Sequence, residues 1–287
     1  MTEKHVDELT GTETTGHEWD GIKELNTPLP RWWLWTFYGT IVFALGYTIA
    51  YPAWPLISSA TGGVLGYSSR AELDKDLAAA TAAKGDLVAR VADTPVAEIL
   101  ASEDLVRFAR AGGSSLFKVY CSQCHGTGAT GSPGYPNLND DEWIWGGGIE
   151  QIHQTISYGV RSADPETHYN IMPAFVSDGI LTSEQVTAVA AQVASLSGIE
   201  GGAASEEGQL LFSENCASCH GESGEGLAEL GGPSLNDQVW LYGGTLEAIK
   251  AQISAPRHGV MPAWAPRLGD TAVKQLAVYV HGLGGGQ

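Results

Sequence analysis

The chain has 287 residues, 43% of them apolar, and a formal net charge of −18. Such a length suits about two domains of ~100–200 residues each. The acidic balance excludes a nucleic-acid binder, which needs a basic footprint, and leaves solubility or attraction to a basic soluble partner as its meaning.

Residues 1–31 are polar and acidic and show no helical period. Residues 32–51, WWLWTFYGTIVFALGYTIAY, hold no formal charge. As a helix they would span about 30 Å, the thickness of a bilayer's hydrocarbon core. Trp32, Trp33, Trp35 and Tyr38 mark one end, and Tyr47, Tyr51 and Trp54 the other, as aromatic belts do at membrane interfaces. A cleaved signal peptide fits poorly, because the run is long, starts after thirty residues and lacks a basic leader. The reading is a retained span over 32–54. Lys4, Lys23 and Arg31 precede it and no basic residue follows before Arg70, which favours an inside N-terminus. Gly39 and Gly46 share one face of the span, where a partner helix could approach or nothing need happen.

Residues 55–102 read as a linker region with a loop at 60–68. A helix follows over 70–92, with Leu73, Leu77, Leu87 and Val91 at helical spacing. Thr94 and Pro95 suggest the cap and first residue of another helix, and 103–110 lead into a third. Two helices lie further on, at 182–196 with a Thr182/Gln185 capping box and at 270–283. A linker, 197–208, separates them.

All four cysteines fall in two motifs, CSQCH (121–125) and CASCH (216–220). Cys-x-x-Cys-His is the attachment signature of c-type haem. Two thiols form thioethers to the porphyrin edge, and the next residue, histidine, supplies a nitrogen to the iron. Zinc would need four ligands where each motif offers three, and a thioredoxin-like pair would need a βαβ context that is missing. The motifs therefore predict two covalent haem c groups, held by Cys121 and Cys124 and by Cys216 and Cys219, with His125 and His220 as axial ligands.

The surrounding sequence repeats. PNLNDDEWIWGGGIEQIHQTIS (136–157) matches PSLNDQVWLYGGTLEAIKAQIS (233–254) at an offset of 97. Each copy later carries Met-Pro-Ala-aromatic, at Met172 and Met261, and the first copy holds eight extra residues within 161–170. These are the only methionines besides Met1. Methionine opposite histidine raises a haem's potential and suits electron transfer, so both are read as the second axial ligands. Order along the chain pairs Met172 with His125 and Met261 with His220. Exchange of the two methionines, or replacement by His168 or His258, stays open. His153 faces Lys250 in the other copy and reads as a surface residue. The carbonyls of Pro136 and Pro233 are candidates to orient the motif histidines, although both prolines could simply shape turns. No catalytic residue is expected, since both iron sites are offered a sixth ligand.

The fold expected is all-α: one N-terminal transmembrane helix, then two tandem class I cytochrome c domains at 103–198 and 199–287. With a single span after it, the stretch HEWDGIKELNTPLPRWW (17–33) is similar to the dihaem CcoP/FixP-type subunit III of cbb3-type cytochrome c oxidases. That resemblance covers nearly the whole chain. It implies a non-enzymatic electron-transfer subunit. A cytochrome c donor would supply it, and a monohaem c subunit and the catalytic haem–copper subunit would be its partners. It also implies a bacterial inner-membrane location, with the N-terminus cytoplasmic and the haem domains periplasmic. Of 33 acids and 15 Lys/Arg, seven and three precede residue 52, leaving 26 and 12 beyond it. Such a surface would steer a basic donor, with an on-rate falling as salt rises. A free membrane-anchored shuttle, or a dihaem peroxidase with a displaceable ligand, are the alternatives.

Overall fold

A computed structural model describes residues 5–286. The chain divides into two compact units, residues 1–83 and 84–287.

In the first unit a hairpin pairs β1 (Thr14–Trp19) antiparallel with β2 (Ile22–Leu25). Asp20 and Gly21 both take positive φ, 48° and 86°, the turn conformation whose twist suits a two-residue hairpin. The acidic N-terminal segment is thus not structureless, a departure from an all-helical chain. Helix α1 (Arg31–Ala50) follows, the one described helix long and apolar enough to cross a membrane. None of its residues is buried, which leaves an apolar cylinder for lipid to cover. The hydroxyls of Thr36, Thr40 and Thr48 donate to the carbonyls of Trp32, Phe37 and Leu45. Each of these threonine hydroxyl hydrogens is thus satisfied within the helix. The helix stops before Pro52, which cannot donate a backbone hydrogen bond.

Helix α2 (Ser69–Asp93) crosses into the second unit. Leu73 and Leu77 are exposed there, whereas Val91 is fully buried. α3 (Val96–Ile99) is a single turn that begins one residue later than expected, with Pro95 as its cap. α4 (Glu103–Tyr120) buries Leu105, Ala109, Gly113 and Phe117, one stripe at four-residue spacing. Arg90 Nη1 reaches Asp104 Oδ2 at 2.6 Å and ties α2 to the first turn of α4. The first motif forms a one-turn helix, α5 (Ser122–His125), and α6 (Ile149–Tyr158) comes after a glycine-rich loop. α7 (Ser183–Leu196) carries the capping box: Thr182 accepts from Gln185 N, and Gln185 Oε1 from Thr182 N. α8 (Glu206–Asn215), α9 (Ala217–His220) and α10 (Leu246–Ser254) repeat the α4–α5–α6 order. α11 (Ala265–Leu268) and α12 (Asp270–His281) close the chain.

Two cores result, and they do not follow the repeat boundary. One joins α3, α4 and α6 to α12, through Ile99, Leu105, Phe117, Ile152, Val273 and Leu276. The other joins α7 to α8 and α10, through Val186, Val189, Leu211, Phe212, Ile249 and Ile253. The closing helix of each copy therefore packs on the opening helix of the other. Glycines mark both crossings. A Cβ on Gly113 would overlap Gln275 and Tyr279 of α12, and one on Gly208 would lie 2.7 Å from the Ala188 oxygen of α7. The expected boundary at 198/199 follows the sequence repeat, whereas the packed groups run 87–160 with 261–283, and 172–254.

Candidate functional site

Each motif grows from the end of a helix. Cys121 caps α4 and Cys216 caps α8. In the turns that follow, His125 N donates to Cys121 O and His220 N to Cys216 O, both at 3.0 Å. That winding sets the two cysteines three residues apart on one face with the histidine a turn from the first. Gly126 and Gly221, at φ 79° and 81°, then reverse the chain.

The loops return to the histidines. Nδ1 of His125 stands 3.0 Å from the Pro136 carbonyl oxygen, and Nδ1 of His220 stands 2.8 Å from that of Pro233. A carbonyl only accepts, so Nδ1 carries the hydrogen and Nε2 keeps its lone pair free for a metal. Burial lowers both imidazole pKa values against the opposing pull of these carbonyls, which keeps the rings neutral. Burial likewise pushes the Cys121 and Cys216 thiols up to about 11.

The methionines sit across from the motifs in exchanged order. Met261 packs with Cys121, Trp264 and Leu268 against the core that holds Phe117 and Ile152. Met172 packs against the core that holds Cys216, Ala217 and Phe175. A cavity of about 580 Å³ is lined by Cys216, Cys219 and His220 together with Met172, Val189 and Ile253. This is cofactor-sized space, walled by sulfur, imidazole and apolar side chains. Each methionine therefore shares a core with the motif of the other copy, not with the motif ahead of it in the chain. The reason is the exchange of closing helices, because each methionine loop travels with the helix after it.

Those loops are pinned by backbone. Val160 and Met261 exchange hydrogen bonds of 3.0 and 2.9 Å, while Phe175 N donates to Ile253 O at 3.2 Å. The competing histidines are engaged elsewhere. His168 stacks on Trp145, centroids 4.4 Å apart, and its Nε2 lies 3.1 Å from Thr155 Oγ1. Burial and then the Arg161 charge lower the His258 pKa, against an opposing pull from the Met172 backbone. His153 Nε2 meets Asp270 Oδ1 at 3.2 Å on α12.

Two residues that motif reading passed over join the copies. Trp145 lies against Gly231, where any side chain would overlap its ring, and Gly231 is two residues ahead of Pro233. Tyr242, the same position in the second copy, lies against Gly134, two residues ahead of Pro136. Each aromatic thus leans on the loop that orients the other copy's histidine. Their shared offset of 97 was a signal in plain view.

Residues 11–58 match the family described as the N-terminal domain of cytochrome oxidase-cbb3, FixP. Residues 109–192 and 203–280 match cytochrome c oxidase, cbb3-type, subunit III. The chain is 55% identical to the cbb3-type cytochrome c oxidase subunit FixP of Sinorhizobium medicae, over 99% of this chain and 98% of that one. It belongs to the FixP/CcoP family of cbb3 oxidase subunits. FixPc of Rhizobium leguminosarum bv. viciae is 54% identical over the full length of both chains. CcoP of Cereibacter sphaeroides is 48% identical over 96% of this chain and 95% of its own. As a FixP/CcoP protein it is an electron-transfer cytochrome c subunit of the oxidase and binds haem c, and α1 suits it to a membrane anchor.

Proposed function

We propose that this FixP/CcoP chain holds two covalent haem c groups, each framed by ligands from both copies. Cys121, Cys124 and His125 would work with Met261, and Cys216, Cys219 and His220 with Met172. The observation that carries this reading is the pair of histidines locked through Nδ1 to Pro136 and Pro233, each on a motif whose first cysteine shares a core with the other copy's methionine. Haem c, when bound, supplies a one-electron couple. The chain's own work is to exclude water with Phe175, Trp264 and the core helices, to hold Nε2 unprotonated, and to hold methionine sulfur in place so that the couple sits high.

The chain takes electrons from a basic cytochrome c donor and delivers them toward a monohaem c subunit and a haem–copper subunit, where oxygen is reduced. It has no catalytic residue of its own. α1 crosses the inner membrane once with the N-terminus in the cytoplasm. That orientation is supported by Lys23 and Arg31 ahead of the span, with no basic residue after it before Arg70.

The test is capture of the tagged chain from gently extracted membranes, fed with reduced cytochrome c. Cyanide-sensitive oxygen uptake, with haem b and copper co-purifying and two haem c per chain, is expected. A chain arriving alone from an extraction that keeps oxidases intact, and consuming no oxygen, would sink the assignment of partners.

A further inference from the structure

The eight extra residues of the first copy carry a cation whose place is unlike that of any other. Arg161 Nε donates to Gly259 O at 2.7 Å, and its Nη1 donates to Asn170 O at 3.0 Å. Asn170 stands two residues before Met172, and Gly259 stands two residues before Met261. One planar guanidinium therefore grips the same backbone position in both methionine loops. In the second copy's shorter loop, Arg257 lies over the Tyr242 ring and donates to Tyr242 O instead, so it grips neither methionine loop in this way.

Three more observations bear on this residue. Arg161 has φ 50°, a left-handed conformation that non-glycine residues seldom adopt and that a structure retains where surrounding contacts dictate it. It is half-buried and walls the cavity beside Met172 and His220. Its backbone belongs to the same knot, because Arg161 N donates to His168 O while the neighbouring Val160 pairs with Met261. Asn170 extends the knot, its Nδ2 donating to Leu230 O ahead of Pro233.

We propose that Arg161 is a positioning residue for both axial methionines at once, a clamp that links the stability of the two iron–sulfur bonds. The inference rests on reading Met172 and Met261 as ligands. The chemistry favours arginine for the task. A guanidinium presents parallel donors in a rigid fork and can satisfy two carbonyls on different strands. A lysine ammonium keeps the charge but is a single point on a flexible stem. Loss of the fork frees both loops, so the two sites loosen together.

The experiment uses the assembled oxidase carrying wild-type chain, Arg161→Gln or Arg161→Lys. Two quantities are read: the weak red charge-transfer band of methionine on ferric haem, and carbon monoxide binding by the reduced c haems. Arg161→Gln is expected to raise the methionine-free, carbon-monoxide-binding fraction about tenfold at each haem, the effect of losing a charge-assisted bond. Both haem c steps of a redox titration should fall together. Arg161→Lys should recover only part of the loss, and if the glutamine variant does not assemble, the lysine variant alone carries the test. A wild-type band and wild-type carbon monoxide binding in either variant, or loss at one haem only, overturns the clamp. So does full rescue by lysine, which would mean that charge and not span is what matters. A wild-type protein without the band would instead refute the methionine reading, and the clamp would fall with it.

Discussion

Gly112 and Gly113 stand side by side in α4 and should respond oppositely to alanine. A methyl on Gly113 would lie 2.6 Å from Tyr279 Cβ and closer still to the Gln275 carbonyl oxygen, both fixed parts of α12. Neither can swing aside, so α4 and α12 must part. Overpacking against such fixed atoms falls in the upper part of the usual range, about 2–3 kcal/mol. Alanine returns up to about 1 kcal/mol of helix propensity, leaving a net loss of roughly 1–2 kcal/mol. For a cooperative unit of 150–250 residues that corresponds to a fall of about 2–8 °C in Tm. The three atoms nearest a methyl on Gly112 all belong to the Gln275 side-chain amide, at 2.6–3.0 Å, the movable end of a half-buried side chain. Gly112→Ala should therefore be neutral or raise Tm by a few degrees. Thermal melts followed at the haem absorbance would compare the two. If Gly113→Ala matched or exceeded the wild type, α4 and α12 would not cross there, and the exchanged packing would lose its main geometric support.

Met261→Ala should lower the potential of the haem bound at Cys121 and Cys124, and Met172→Ala that of the other, because methionine sulfur favours the reduced iron; redox titration with a second substitution at either motif histidine assigns the steps, and the in-order result would refute the pairing. Trp145→Leu opens the loop before Pro233, so the potential at Cys216 and Cys219 should drop through added water while the other stays within error. Glu142 has a raised pKa, from burial first and then from the Asp237 carboxylate facing it. The folded state thus holds a proton more firmly than the unfolded one, and stability falls as pH rises through that raised value. Glu142→Gln should stabilise at pH 7–8 by about 0.5 kcal/mol, small because the site is exposed and screened. The gain should vanish in acid, where the glutamate is already protonated; denaturant melts at both pH values decide, and an equal gain at low pH would contradict the charge argument.

What the sequence made legible was local. The motif turns close within five residues, the capping box at Thr182 within three, and the bonds to Pro136 and Pro233 span eleven and thirteen residues. The membrane span announces itself by length and aromatic ends. The hairpin over 14–25 was missed although Asp20-Gly21 is a strong turn signal, because its short polar strands show no clean alternation. Arg161 was hidden for another reason. Its partners are nine and ninety-eight residues away, and an insertion without a match in the second copy offers no pattern to read. The exchange of α7 and α12 was invisible for the same reason. Two closing helices with the same spacing of buried apolar residues fit either core by composition, and chain order favours the other pairing.

The exchange has a cause in connectivity, and that cause gives a test. α7 and α8 are joined by a short linker and pack together, so that contact forms with little loop-closure entropy. Once α7 has taken α8, only α12 remains to cover α4. Residues 172–254 then hold one site in a continuous stretch, whereas the site at Cys121 needs both ends of the second unit. Ending the chain after Gly269 removes Val273, Leu276, Ala277, Val278 and Val280, all buried in the core with Phe117 and Leu105. At ~1.5–3 kcal/mol for each large side chain this is of order 8 kcal/mol, comparable to the 5–15 kcal/mol that holds a whole domain. The truncated chain should therefore lose order around Cys121 and keep it around Cys216. Limited proteolysis with mass spectrometry reads this directly, with cleavage expected within 103–160 and protection within 172–254. In-order domains demand the reverse, since α12 would then belong to the second motif, and protection of 103–160 in the truncated chain would overturn the exchange.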